Sequence, residues 1–294
     1  MEGGYCHPIR REQSITRLAR NFSPPGELEE KAISRTVETV GAFADSLKQE
    51  GAEAVFAVAT GVLREAKNRE AFVQRVFERT GLSLRVLSGE EEAHLMLRGV
   101  LWYLKGEVPA RLVADIGGGS TEIVWVEGRS PKRACSLNLG AVILSERFLR
   151  SDPPQPEEIQ SMEAQIKDAL TKAREGFAME GLMARSLHPT LVGTAGTMTT
   201  LAAIDQKLDD YDPERINGYQ ISSEILQGIY VRLRSLSLRE RKNVPGLEEG
   251  REDLIVAGAA IVLGLLEVFR LTLLLVVDSG LLEGVLLEGI FQLP

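Results

Sequence analysis

Apolar residues in this chain come either in short continuous runs or at three-to-four-residue spacing, and the two patterns take turns, which predicts an α/β order. Residues 27–49 set Leu28, Ala32, Ile33, Val37, Val40, Ala44 and Leu47 at helical spacing, with acidic residues in the first turn and Gly51 just past the end. The run AVFAVA at 54–59 reads as a buried strand that leads into Thr60-Gly61-Val62-Leu63-Arg64. Asn68 then caps a helix bearing Phe72, Val76 and Phe77, closed before Gly81. Residues 84–87 form the next strand, and Ser88-Gly89 opens a helix whose apolar face holds Ala93, Met96, Leu97, Val100, Leu101 and Leu104. Ahead of all these, residues 5–18 carry Arg10, Arg11 and Arg17 among alternating apolar positions and predict a strand with its following connection.

The second half continues the rhythm. Strands are predicted at 112–116, 123–126 and 134–139, then a helix from Gly140 to Leu149. Residues 157–185 read as a long surface helix or helix pair broken near Gly176. A strand at 191–193 leads to a helix over 197–204, and residues 209–218 are polar and turn-rich. Ser222 starts a helix, 244–251 form a loop, 255–269 an apolar helix, 271–277 a buried strand and 281–291 a last helix.

The candidate chemistry is concentrated in DIGGGSTE at 115–122, which lies between two strands. Glycine accepts backbone angles denied to other residues, so Gly117, Gly118, Gly119 and Ser120 can direct several N–H groups at an anionic oxygen. Taken alone, the same residues also suit a flexible hairpin tip. Asp115 and Glu122 flank the turn, and two carboxylates repel phosphate unless a divalent cation sits between them or one handles a proton. A Walker loop or dinucleotide fingerprint would open a helix, whereas here a strand follows. Such a strand–loop–strand unit resembles the phosphate loops of the superfamily containing actin, sugar kinases and acetate kinase. Gly193, Gly196 and Thr197 repeat the motif at the start of a helix, where amides would suit a second phosphate or a nucleotide. Among Glu90, Glu91 and Glu92, helix-dipole compensation accounts for at least two, and one is free for chemistry.

The 294 residues suffice for two domains or one large one, and 44% hydrophobic with 26% charged content is that of an ordinary globular protein. A net charge of −8 excludes a general nucleic-acid binder and requires any polyanion to meet a local basic site. Cys6 and Cys135 are far apart and His7, His94 and His188 lack ligand spacing, so a reduced, cytoplasmic setting is expected and no histidine metal site. The most apolar stretch, 259–277, is interrupted by Glu267 and Arg270, so no membrane span is predicted.

SGEEEAHL (88–95), DIGGGSTE (115–122), GTAGTMTTLAA (193–203), NGYQIS (217–222) and VDSGLLEG (277–284) occur in the order seen in exopolyphosphatases and guanosine pentaphosphate phosphohydrolases. The chain resembles that family over nearly its whole length. The resemblance implies an α/β fold of two actin-like (ribonuclease H-like) domains with mixed sheets flanked by helices and an active site in the cleft between them. It places one domain at 1–106, the second at 107–279, and helix 280–294 back on the first. It implies Mg2+ dependence and removal of terminal phosphate from polyphosphate or guanosine pentaphosphate (pppGpp), a link to the stringent response, and leaves homodimerisation open. Residue by residue, it assigns Glu92 as the base, Glu122 to the same water or the metal, Asp115 to the metal, and Gly117 to Ser120 and Arg64 to the phosphate. The family pattern begins with a first phosphate-loop hairpin that should precede Glu2; a start assigned too far downstream is the expectation, loss of the hairpin the alternative. On the second case rests another reading, a non-catalytic binder of a nucleotide or alarmone. A sugar or acetate kinase fits less well, because the SGEEEA block belongs to the hydrolases.

Overall fold

The computed structural model describes residues 9–22, 25–105, 112–179 and 190–292. Cys6, His7, His188 and the 106–107 boundary lie outside them, as does the start of the strand expected at 5–18. The described part of that segment is not a strand: residues 9–17 are irregular, and Arg10, Arg11 and Arg17 reach out to separate acidic partners.

Regular structure begins with α1 (Glu30–Gln49), β1 (Ala57–Ala59), the single turn α2 (Val62–Glu65), α3 (Arg69–Thr80) and β2 (Leu84–Val86). β1 and β2 pair in parallel. Ile33 and Val37 of α1 meet Leu63 of α2 and Phe72 and Val76 of α3 in one core, so the apolar face that gives α1 its spacing is the one it buries.

Next come α4 (Gly89–Tyr103), β3 (Leu112–Ile116), β4 (Thr121–Glu127), β5 (Ser130–Leu137), α5 (Ala141–Phe148), α6 (Pro156–Met179), β6 (Thr190–Thr194) and α7 (Ala195–Gln206). The chain continues with α8 (Pro213–Ile216), β7 (Gln220–Ser222), α9 (Ser223–Ser235), α10 (Leu238–Arg241), α11 (Ile255–Phe269), β8 (Leu273–Val276) and α12 (Leu281–Gln292). Six strands form one mixed sheet in the order β5-β4-β3-β6-β8-β7, with β3, β6 and β8 parallel and the others antiparallel to their neighbours.

Strand alternation divides this sheet's side chains between two faces. Leu112, Ala114, Ile123 and Trp125 join the core shared with α6, α7, α9 and α11, where Trp125, Phe177 and Phe269 pack ring to ring. Val113, Val124, Val126, Val192 and Leu275 point the other way, onto Ala93, Met96, Leu97 and Val100 of α4. α12 in turn lies along α4 at backbone contact: a Cβ on Gly99 would stand 1.8 Å from Gly280 O, and one on Gly284 1.8 Å from Leu95 O. Further sequence expectations change: the buried strand read at 54–59 is the short, half-buried β1, and the Asn68 side chain bonds the backbone of Leu28 instead of capping α3. α6 runs unbroken through Gly176, carried by the buried Ile166, Leu170 and Phe177, and the three-residue edge strand β7 lies where only a helix start was read. No helix among the described residues is long and apolar enough to cross a membrane.

Candidate active site

The register of the sheet assembles the acidic cluster. Asp115 of β3 stands opposite Glu122 of β4, and Glu122 opposite Ser136 of β5. Alternation sets Asp115 with Val113, and Glu122 with Val124, on the face that α4 covers. The first turn of α4 therefore meets them. Its three glutamates have separate fates: Glu90 is exposed, Glu91 is a cap and Glu92 is buried. Glu91 N–H donates to Ser88 Oγ at 3.1 Å and Ser88 N–H to Glu91 Oε2 at 2.8 Å, a capping box. The Ser88 amide and the Arg85 guanidinium hold the Glu91 carboxyl down at about 2.

Arg64, at the end of α2, closes the cluster. Its Nη1 donates to Glu92 Oε2 at 2.8 Å and to Leu87 O at 3.2 Å, and its Nη2 to Ser136 Oγ at 3.2 Å. Ser136 Oγ donates onward to Glu122 Oε1 at 2.7 Å, and Arg64 Nη2 is 4.0 Å from that oxygen. One guanidinium thus serves a site of three carboxylates. Burial pushes the Asp115 carboxyl up to about 7, with the Glu92 charge adding to it. Burial, then Glu92 and Asp115, push Glu122 up to about 8, against the hydrogen bonds from Ser136 and Ser120. Arg64 also lines a groove of about 570 Å3 beside α3 and β2, but Glu92, Asp115 and Glu122 do not border it.

Across the turn, Gly117 N–H donates to Ser120 O at 2.9 Å, while the amides of Ala141 and Val142 donate to Gly117 O and Gly118 O, each at 3.0 Å. Gly140 permits this approach, because a Cβ there would stand 2.1 Å from Gly118 O. With the carbonyls of Gly117, Gly118 and Ser120 satisfied, the loop presents the amides of Gly118, Gly119 and Ser120, which have no protein acceptor among the described residues. Gly118 is exposed. Unengaged amides grouped in one turn have the geometry that can take an anionic oxygen, here beside an acidic cluster.

The second glycine motif is mostly structural. Gly193 lies inside β6, where a Cβ would meet Leu274 and Met198 at 2.7 Å. Thr197 is buried, with Oγ1 3.5 Å from Ile116 O and its side chain against Gly258 of α11. Gly196 stays at the surface of the motif, and the Arg251 guanidinium covers it so closely that a Cβ would stand 2.3 Å from Nη2. The sequence showed Arg251 only as the last residue of the loop at 244–251, with no role of its own.

Among the described residues no three His, Cys, Asp or Glu side chains are arranged to hold a metal by themselves. Asp115 and Glu122 nonetheless fit Mg2+, which takes one or two carboxylates and completes its shell with water and phosphate oxygens. Two carboxylates pushed up by burial and by the nearby Glu92 charge are a donor set in need of a cation.

The profile of the Ppx/GppA phosphatase family matches residues 1–291. The chain belongs to this family. As a Ppx/GppA phosphatase family chain it is 33% identical to exopolyphosphatase 2 of Mycobacterium tuberculosis, over 97% of this chain and 90% of that protein. It is 28% identical to a bifunctional 3-dehydroquinate synthase/phosphatase of Fusobacterium nucleatum, over 96% of this chain and 42% of that protein. Among solved structures it is similar to the Ppx/GppA family member of Aquifex aeolicus, with 33% identity, a TM-score of 0.74, and 95% and 88% of the two chains covered. An exopolyphosphatase from Cytophaga hutchinsonii shares the fold, with 24% identity, a TM-score of 0.81, and 92% and 85% covered. Ppx/GppA membership agrees with the two-sheet α/β architecture and with the actin-like fold expected for this chain.

Proposed function

We propose that the protein releases the terminal phosphate of inorganic polyphosphate, with pppGpp as a second substrate, through attack of water oriented by Glu92. The observation that carries this reading is the meeting of Glu92, Asp115 and Glu122 around Arg64 beside a turn with three unengaged amides. Membership of a phosphatase family and a relative named exopolyphosphatase support it.

Each residue supplies one part of a phosphoryl transfer, which needs positioning and charge stabilisation more than covalent help. The amides of Gly118, Gly119 and Ser120 take the oxygens of the reacting group. The Arg64 fork suits the same oxygens, and an incoming polyanion competes with Glu92 for it. Once Arg64 turns to phosphate, Glu92 is free to accept the proton of the attacking water. The bridging P–O bond then breaks and the shortened chain leaves as an anion. Asp115 and Glu122 would hold Mg2+, which when bound neutralises charge on the phosphates. Arg251 over Gly196 offers a further cation for a long polyanion.

A second reading, binding of polyphosphate or alarmone without turnover, draws on the Arg64–Glu92 pair, which as it stands engages the base. One experiment separates the two: phosphate release from polyphosphate and from pppGpp, with Mg2+ and with chelator, alongside direct binding by calorimetry. Mg2+-dependent release from polyphosphate is the expected result. Binding without release would replace hydrolysis with the second reading.

A further inference from the structure

Residues 9–22 have no helix or strand, yet they are pinned on two sides. Toward α1, Arg35 Nε donates to Thr16 O at 2.7 Å and Arg10 Nη1 to Glu50 Oε1 at 3.3 Å. Toward the six-stranded sheet, Arg11 Nη1 donates to Asp278 Oδ2 at 2.7 Å, just past the end of β8. Arg17 forks onto Asp253, with Nη2 3.0 Å from Oδ1 and 3.3 Å from Gly250 O. Arg17 itself holds a left-handed φ of 52°, a conformation that persists only where the surroundings impose it.

The loop gripped by that fork is the one that bears Arg251. Ser145 Oγ donates to Asp253 O at 2.8 Å, and the buried Arg241 donates through Nη1 to Glu252 O at 2.7 Å. Residues 250–253 are thus held from three sides, two of them within the sheet's own layer and the third, Arg17, from the segment tied to α1. The guanidinium of Arg251 lies against Gly196 and donates through Nε to Glu248 Oε2 at 2.5 Å, a partner on the same loop, so the place of the pair depends on where this loop sits.

We propose that residues 10–17 are an ion-pair latch between the two layers, and that Arg17 is a positioning residue which, through Asp253, sets Arg251 for substrate. A substrate lying between the layers would find Arg251 correctly placed only with the latch engaged. The kinetic part of this proposal rests on the polyphosphate reading above; the structural part does not.

The test compares Arg17→Ala, Arg17→Lys, Arg251→Ala and the Arg17→Ala/Arg251→Ala pair in the full chain. For Arg17→Ala, KM for polyphosphate should rise about tenfold with kcat nearly unchanged, because charge-assisted hydrogen bonds of this kind are worth a factor of that order and the bond made to substrate is uniform. Arg17→Lys should restore part of the loss. The double variant should be no worse than Arg251→Ala, since both substitutions act through one guanidinium. Hydrogen exchange at the amides of residues 250–253 should quicken about tenfold in Arg17→Ala, as local opening is favoured, whether or not the protein hydrolyses anything. Multiplying effects in the double variant would overturn the positioning role. Exchange at 250–253 indifferent to Arg17 would overturn the latch itself, while absent phosphate release with faster exchange would sink only the hydrolase reading.

Discussion

Asp115 and Glu122 hold their protons more tightly in the folded protein than in the unfolded chain, at about 7 and about 8. The stability this contributes is complete below the ordinary carboxylate range near pH 4 and is lost as pH rises through 7 to 8. Without divalent cation, the melting temperature should therefore fall between about pH 5 and pH 8.5, and Glu122→Gln should flatten that fall. Added Mg2+ should raise the melting temperature more at the alkaline end, where protons no longer compete for the carboxylates. Melts across this range check both statements, and an unaltered slope in Glu122→Gln would assign the dependence to other groups. Glu92→Gln removes a base and keeps its shape, so turnover should drop ~10²–10⁴-fold. Binding should persist or tighten, since Arg64 loses a competitor. Near-normal turnover would move the base elsewhere, with Glu122 the first candidate. The glycine motif already pointed to Asp115 and Glu122 and the family resemblance to Glu92, but their crowding arises only when α4 closes on the sheet.

The elements with strong periodicity, α1, α4, α11 and the β3–β4 hairpin, were legible because burial and spacing say the same thing there. α6 shows where local signals lose to packing: a glycine costs a helix interior ~1 kcal/mol, less than the burial of Ile166, Leu170 and Phe177 on α11 and the sheet returns. That glycine has open space around its Cα, so Gly176→Ala should stabilise the protein by ~0.5–1 kcal/mol in denaturant unfolding, and a loss would show that the helix needs to yield there. Gly99→Ala should do the reverse, because its Cβ would stand 1.8 Å from Gly280 O. Overpacking of that kind costs ~1–3 kcal/mol and should loosen α12 from α4, visible as faster exchange in both helices. Unchanged stability would mean that the two backbones can part without loss. β7 escaped notice because a three-residue edge strand carries too little pattern to distinguish it from the start of α9.

For the molecule as a whole, a net charge of −8 means that a polyanion meets repulsion except near a few arginines. Arg10, Arg11 and Arg17 lie close together in the sequence, as a basic site would, but they are engaged with Glu50, Asp278 and Asp253. Local density of charge in a sequence does not show where the neutralising partner sits when it lies hundreds of residues away. Arg64 and Arg251, paired with Glu92 and Glu248, are the cations that stand at the two glycine motifs themselves, and Arg64→Glu should weaken polyphosphate binding sharply. Wild-type affinity should also fall as salt rises, since counterions screen such attraction; titrations at low and high ionic strength measure it. Affinity indifferent to both would place the groove elsewhere. The tie between Arg11 and Asp278 spans 267 positions of sequence, and β8 and α12 are the last elements laid onto the sheet and onto α4. During synthesis, a ribosome that has delivered the β3–β4 hairpin has made two strands whose sheet neighbour β6, and β8 beyond it, are still to come. The six-stranded sheet and the packing of α12 on α4 are therefore completed only when residues 273–292 have left the exit tunnel, so the last fifteenth or so of the chain closes the fold in one late step instead of by degrees.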